Sequence, residues 1–313
     1  MRLCVPEATP AEHLAGIPAE VIVERLPSTG PLPDGIANVD FFVPPEDTDR
    51  IREAVRQMPS LKVIQVLSAG VDWVLPVIPP GVTLCNGSGI HDTPVSEWVV
   101  AAILATCKRF FHYRAIQLQQ RWGGPTPNDW YEGGEGPMDD LEGKTVLLLG
   151  YGSIGQAVEK RLVPFGVDIV RVARRPRQGV HETKELPTLL SSTDILVVLA
   201  PHTVETDGLL DRELLSRLKK GSVVINASRG KLIDPDALMG ALAAGQVRAA
   251  LDVTEPEPLP DGHPLWSAPN VFITPHVAGW SPRQLDRAYA FVRDQIRRYL
   301  SGEPLLNLVT DGY

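Results

Sequence analysis

Between Lys144 and Pro275 six short apolar runs recur, KTVLLLG, VDIVRVA, DILVVLA, GSVVINA, VRAALDV and VFITP, each separated from the next by a helically patterned segment. Runs this apolar read as strands buried on both faces. A parallel sheet with helices on each side is the architecture that buries them. One intervening helix carries its own delimiters, with Asp234 as cap, Pro235 as first residue and Gly245 just past the end.

The first run flows into GYGSIGQAVEKRL, which sets Gly150, Gly152 and Gly155 after a strand and at the start of a helix. In that context the first glycine makes the tight turn, the second lets the backbone approach a pyrophosphate, and the third packs helix against strand. Ser153 and Ile154 open the helix whose N-terminus supplies partial positive charge to phosphates. The second run ends at Ala173, where an acid usually accepts hydrogen bonds from the ribose, and Arg174 and Arg175 follow. Guanidinium groups there can clasp a 2′-phosphate, so the expected coenzyme is NADP, with NAD possible. The competing account is that arginines after a strand are solvated surface charge, and Arg177 is surplus to a phosphate site on either view.

Elsewhere the chain reads as a second, smaller α/β layer. RLCVP, AEVIVERL, VDFFVP, LKVIQVL and GVTLCN are strand-like runs before about Asn86, and a long helical pattern starts with Thr93 as cap and Pro94 as first residue, running on to about Trp122. GGPTPNDWYEGGEGPMDDLEG reads as a surface loop. A last helix places Leu285, Ala288, Tyr289, Val292, Ile296 and Tyr299 at helical spacing, an apolar face that must dock. With 38 acidic against 30 basic residues and a net charge of -8, the chain offers no footprint for nucleic acid or an anionic membrane. Cys4, Cys85 and Cys107 are far apart in apolar settings, so buried free thiols, no metal site and a cytoplasmic location are expected. No signal peptide or membrane span is evident, the apolar stretch WVVAAILATC being too short.

Past the glycine loop, LAPHTVETDGLLDRELLSRLKKGSVVINASRG, AALDVTEPEP and VFITPHVAGWS resemble, in order and spacing, the signatures of the D-isomer-specific 2-hydroxyacid dehydrogenase family. LSAGVDWV and VSEWVVAAILA match more loosely before them. The resemblance implies an α/β protein of two domains, a Rossmann-type doubly wound parallel sheet inserted into a flavodoxin-like substrate domain. The boundaries expected are 1–93 for the first part of the substrate domain, 94–284 for the dinucleotide domain and 285–313 for a helix returning to the substrate domain. It implies that Arg229 binds the carboxylate and carbonyl of a 2-keto acid, that His276 exchanges the proton, and that a carboxylate keeps the histidine charged and oriented. Glu257 matches that carboxylate, although Glu255 is two residues away in the same proline-rich loop. Asp252 matches a contact to the nicotinamide carboxamide, with a turn cap as the plainer role. Ala200 and Ala227 match positions lining the coenzyme, and Ala69 and Gly70 a loop whose amides hold the substrate carboxylate. An active site between the domains and a homodimer built around the helix from Thr93 are further implications.

FFVPPED carries no Lys or Arg where some relatives hold the far end of a phosphorylated substrate. The expectation is therefore NADPH-dependent reduction of a small 2-keto acid such as glyoxylate, hydroxypyruvate or a larger analogue. An NAD-linked D-2-hydroxyacid or phosphoglycerate dehydrogenase is the alternative within the class, and a nucleotide-sensing scaffold or co-repressor the alternative outside it. His91 and Asp92 depart from the family pattern, and a structural role for that histidine is expected.

Overall fold

A computed structural model describes residues 1–122 and 138–310, so residues 123–137 of the expected surface loop lie outside the described residues. The chain divides into two compact units, Met1–Asp92 with Trp280–Tyr313 and Thr93–Gly279 between them. The sequence reading put these crossings at 93/94 and 284/285.

In the first unit the strands β1 (Arg2–Pro6), β2 (Ile22–Leu26), β3 (Phe41–Phe42), β4 (Val63–Gln65) and β5 (Thr83–Cys85) form one sheet in the order β2-β1-β3-β4-β5. Each pairing is parallel, and this is the flavodoxin-like order. Alternation along the strands sends Cys4, Phe42 and Ile64 to one apolar layer and Leu3, Val5, Phe41 and Val63 to the other. The helix Gln284–Ser301 closes the second layer with Ala288, Tyr289, Val292 and Ile296. Leu285, on the expected apolar face, is exposed instead.

Polar groups fix how that helix seats. The buried Gln295 amide donates to Gln65 Oε1 at 2.8 Å and accepts from the Leu306 amide at 2.9 Å, while Gln65 donates to the Val66 and Asn86 carbonyls. Each buried amide is satisfied, so the pair selects one register for the helix without an orphan polar group. His91, also in this unit, lies 3.2 Å from Gln284 through its Nε2. Burial, with the charge of Arg287, holds its pKa below the ordinary value, in keeping with a structural role.

The second unit holds β6 (Thr145–Leu149), β7 (Asp168–Ala173), β8 (His181–Glu182), β9 (Ile195–Val198), β10 (Ser222–Asn226), β11 (Val247–Leu251) and β12 (Val271–Ile273). Their order is β12-β11-β10-β9-β6-β7-β8, all parallel, so the strand order reverses between β6 and β9. This is the doubly wound dinucleotide-binding topology, in which ligands meet the carboxyl ends of the strands beside the reversal. Leu147 and Leu149 face one apolar layer, Val146 and Leu148 the other, which is why the run reads as continuously apolar. The edge strand β8 escapes sequence reading because two residues carry no periodicity.

The long helical pattern after residue 92 is two helices, Asp92–Cys107 and Phe110–Leu118. Arg109 takes a left-handed conformation at φ 53° between them, and the Asp139 amide caps the first helix by donating to the Cys107 carbonyl at 3.1 Å. The pattern change at Lys108 marks this break, where the buried stripe ends and exposed Phe110 begins. The first helix also starts at Asp92, which places Pro94 in the opening turn, where its missing N–H is not needed.

Candidate active site

Each glycine of the loop after β6 meets a different physical requirement. Gly150 sits at φ 103°, and a Cβ added there would lie 2.2 Å from the Ala200 nitrogen. Gly155 passes so close to the loop that an added Cβ would stand 2.9 Å from the Gly150 carbonyl oxygen. Gly152 has ordinary extended backbone, and a Cβ added there would meet nothing within 4 Å. The space it leaves lies at the N-terminus of the helix Ser153–Leu162, whose N-cap is Gly152 itself. Open space beside a helix N-terminus fits a pyrophosphate.

These environments predict separable losses. Gly150→Ala is expected to cost about 2–4 kcal/mol of stability through strain and overlap with Ala200. Gly152→Ala is expected to leave the melting temperature of the coenzyme-free protein unchanged while weakening both NADP and NAD about tenfold or more, because its methyl fills only the phosphate space. Thermal melts and calorimetric titration of the two variants check this, and a large fall in the melting point of the Gly152 variant would refute the open-space reading.

Arg174 and Arg175 project from the end of β7 into solvent with the rest of the exposed stretch to Gly179. The nearby charge of Arg174 contributes to holding the Glu205 carboxyl below its usual range, after a Thr203 hydrogen bond. Arg177 is not surplus: its Nη2 donates to the Tyr151 carbonyl at 2.5 Å, inside the glycine loop. Ala200 and Ala227 follow the ends of β9 and β10, Ala200 against Gly150 and Ala227 donating to the Val198 carbonyl at 3.3 Å.

The residues expected to carry the chemistry follow strands β10, β11 and β12. After β10 the buried Asn226 accepts from the Ser228 amide at 3.1 Å and donates to the Arg229 carbonyl at 2.9 Å, which folds the turn that presents half-buried Arg229. The Arg229 Nη1 donates to the Ser228 carbonyl at 2.8 Å. Gly230 permits that turn to pass the next loop, since a Cβ there would lie 1.9 Å from the Thr254 carbonyl oxygen. Asn226 went unnoticed in the sequence, although an Asn at a strand end is the residue that folds such turns.

After β12, His276 adopts φ 55°. A non-glycine residue held in the left-handed region is a conformation that surrounding contacts must impose. They are supplied by Asp252, whose carboxylate accepts from Thr274 Oγ1 at 2.5 Å, the Val277 amide at 2.9 Å and the Ala278 amide at 2.8 Å. The Asp252 carbonyl in turn accepts from the His276 amide at 2.7 Å. The contacts of Asp252 are thus those of a turn cap, with one donor on Oδ2 against two on Oδ1.

His276 Nδ1 lies 2.5 Å from Glu257 Oε1, so its carboxylate neighbour is Glu257 and not Glu255, and this contact does not use Nε2. The Glu257 hydrogen bond raises the His276 pKa above its ordinary value, against the opposing effects of burial and of Arg229. Burial would raise the Glu257 carboxyl, but the hydrogen bond to His276 and the charges of His276 and Arg229 bring it below its usual range. Arg229 therefore acts on both members of the pair, and the three residues form one electrostatic group.

Ala69 and Gly70 lie in the first unit, in a loop shaped by side chains that sequence reading missed. Ser68 Oγ donates to the Gly70 carbonyl at 2.7 Å, and the Trp73 indole donates to the same carbonyl and to Ser68 Oγ, both at 3.1 Å. Among the described residues no cluster of three or more His, Cys, Asp or Glu side chains could hold a metal, and no helix is long and apolar enough to cross a membrane.

A doubly wound parallel sheet, a glycine loop at its strand reversal and a paired histidine and carboxylate past the ends of its strands define a dinucleotide-dependent oxidoreductase. Residues 100–278 match the model of the D-isomer specific 2-hydroxyacid dehydrogenase, NAD binding domain. The chain belongs to the D-isomer specific 2-hydroxyacid dehydrogenase family. It is 35% identical over 266 residues to a glyoxylate reductase of Thermofilum pendens, covering 82% of this chain and 77% of that one. A D-isomer specific 2-hydroxyacid dehydrogenase of Xanthobacter autotrophicus Py2, solved in complex with NADPH and MES, superposes with a TM-score of 0.84 at 28% identity over 100% of this chain and 99% of that one. An NADPH-dependent glyoxylate/hydroxypyruvate reductase of Sinorhizobium meliloti, in complex with NADP and sulfate, gives 0.83 at 28% identity over the same shares.

Proposed function

We propose that this protein reduces a small 2-keto acid, of the size of glyoxylate or hydroxypyruvate or a larger analogue, to the D-2-hydroxy acid with NADPH. The observation that carries the reading is the His276–Glu257 pair at 2.5 Å, with the charge of Arg229 acting on both. NADPH, when bound, supplies the hydride. Gly150, Gly152 and Gly155 with the opening turn from Ser153 and Ile154 would hold its pyrophosphate, and Arg174 and Arg175 its 2′-phosphate. Ala200 and Ala227 would line its path, and the free lone pair of Asp252 Oδ2 suits a carboxamide N–H.

Arg229 binds the substrate carboxylate and carbonyl oxygen with its planar fork, opposing the charge that grows on that oxygen during reduction. His276 donates a proton to the oxygen from Nε2, and Glu257 keeps the ring protonated and fixed in orientation through Nδ1. The amides of the Ala69–Gly70 loop would offer donors to a substrate carboxylate. The names of the relatives support the substrate class and their bound NADP the coenzyme.

A homodimer fits the exposed apolar side chains Phe110 and Leu118, at the two ends of the second helix, and Trp122 just past it. A reducing, cytoplasmic setting fits Cys4 and Cys85, buried free thiols whose pKa values burial pushes up to about 12 and about 11.

The test is steady-state oxidation of NADPH and of NADH against 2-keto acids from glyoxylate to phenylpyruvate. Turnover with NADPH preferred and the D-hydroxy acid as product is the expected result. Tight coenzyme binding with no turnover on any member would overturn the reading in favour of a nucleotide-sensing role.

A further inference from the structure

The arginines after β7 differ in what they touch. Arg177 spends its guanidinium on Tyr151, donating to the carbonyl at 2.5 Å and lying 5.4 Å from the ring centroid. Arg171 lies over the same ring at 5.6 Å and is held in turn by Glu159 of the helix Ser153–Leu162, through Nε at 2.8 Å and through a second bond from Nη2. Burial and the neighbouring Glu159 hold the Tyr151 pKa above its ordinary value. Tyr151 is thus tied to the sheet and to the helix, and it is the residue between the first two glycines of the loop.

The two sides of the Arg177–Tyr151 contact differ in rigidity. On one side the glycine loop is anchored, with the Gly150 and Tyr151 amides both donating to the Val172 carbonyl at 2.9 and 3.1 Å and Gly150 packed on Ala200. On the other side residues 174–179 are all exposed. Their backbone is restrained by the turn in which the Val180 amide donates to the Arg177 carbonyl at 2.8 Å. The Arg177 side chain adds an attachment to a fixed body, and a charged donor on a carbonyl combined with a cation over a ring is worth about tenfold in an equilibrium.

We propose that Arg177 is a positioning residue for coenzyme choice, a latch that fastens the exposed Arg174–Gly179 loop to Tyr151 and so holds Arg174 and Arg175 ready for a 2′-phosphate. The proposal rests on the NADPH reading above. It assigns to Tyr151 a part in selecting NADP over NAD although Tyr151 has no charge to offer a phosphate. The latch acts on the arginine loop and not on the pyrophosphate site, because the glycine loop keeps its own anchors when Arg177 is removed.

The test is calorimetric binding of NADP and NAD to the wild type, Arg177→Ala, Tyr151→Leu and the double variant, with hydrogen exchange of the coenzyme-free proteins at the Val180 amide. Arg177→Ala is expected to weaken NADP about tenfold and NAD by no more than about twofold, and to speed exchange at Val180. Tyr151→Leu removes the ring and leaves the carbonyl, so it should weaken NADP in the same direction by less. In the double variant it should add nothing to Arg177→Ala, the signature of a shared interaction. An NADP affinity untouched by Tyr151→Leu while Arg177→Ala weakens it would overturn the latch and make Arg177 a direct phosphate ligand. Equal weakening of both coenzymes by Arg177→Ala would overturn it too. A selective loss in Arg174→Ala/Arg175→Ala with none in Arg177→Ala refutes the latch alone, whereas no selective loss in that double variant refutes the 2′-phosphate reading beneath it.

Discussion

Replacing His276 by alanine is expected to lower kcat for keto-acid reduction by about 10²–10⁴-fold while leaving the NADP dissociation constant within about twofold of the wild type. The ring lies past the end of β12, apart from the glycine loop and the arginine loop, so its loss should be felt in proton transfer and not in coenzyme binding. Because His276 sits at φ 55°, a second variant separates chemistry from backbone. Asn tolerates the left-handed region far better than Ala, so His276→Asn should keep the turn and still lose the turnover. An Asn variant with near-wild-type kcat would remove His276 from the mechanism.

The same pair dictates a pH dependence whose sign can be worked out. Reduction needs the protonated imidazole, so its kcat/KM should fall as pH rises through the raised pKa of His276, and oxidation of the D-hydroxy acid should rise across the same interval. Glu257→Gln removes the largest cause of that raise and leaves burial and Arg229, which both lower the pKa. The reduction profile should therefore shift to lower pH in this variant and the oxidation profile should shift the same way. A profile unmoved by Glu257→Gln would mean that the carboxylate orients the ring without tuning its charge.

Apart from the edge strand β8, the strands of both sheets were legible as short apolar runs, most clearly where both faces are buried, and the glycines because their spacing follows one. Glu257 was favoured over Glu255 only through the family match, since both sit in a proline-rich loop with no periodicity to say which one turns toward residue 276. Asp252 shows a different limit. Its match to the family pointed to the coenzyme, while three groups 22 to 26 residues later in the chain use its carboxylate to fold the turn around His276. A cap was the plainer role open to it, but local sequence does not say which distant turn it would cap. Arg177 is the clearest instance: it looked surplus because its partner Tyr151 lies 26 residues away, across the strand β7, and only the parallel pairing of β6 with β7 brings the two loops together. Side-chain roles that depend on pairing of distant segments are decided by topology, and a reading by local pattern misses them.

The remaining large effect concerns Arg174 and Arg175. Their joint replacement by alanine is expected to weaken NADPH by about 10²-fold and NADH by less than about threefold, since each guanidinium can give a phosphate two charge-assisted hydrogen bonds that NADH cannot accept. The end of β7 holds Ala173 in place of the acid that would bind the ribose hydroxyls of NADH, so the variant should not become a good NADH enzyme. Restoring that preference should require the acid as well, by Ala173→Asp in the same background. Selectivity here is built from two separate terms, attraction for the phosphate and absence of a ribose ligand, and the ratio of kcat/KM for the two coenzymes measures both. Equal losses for NADPH and NADH in the double alanine variant would show that the arginines are solvated surface charge, and the preference for NADPH would then have to come from elsewhere in the unit.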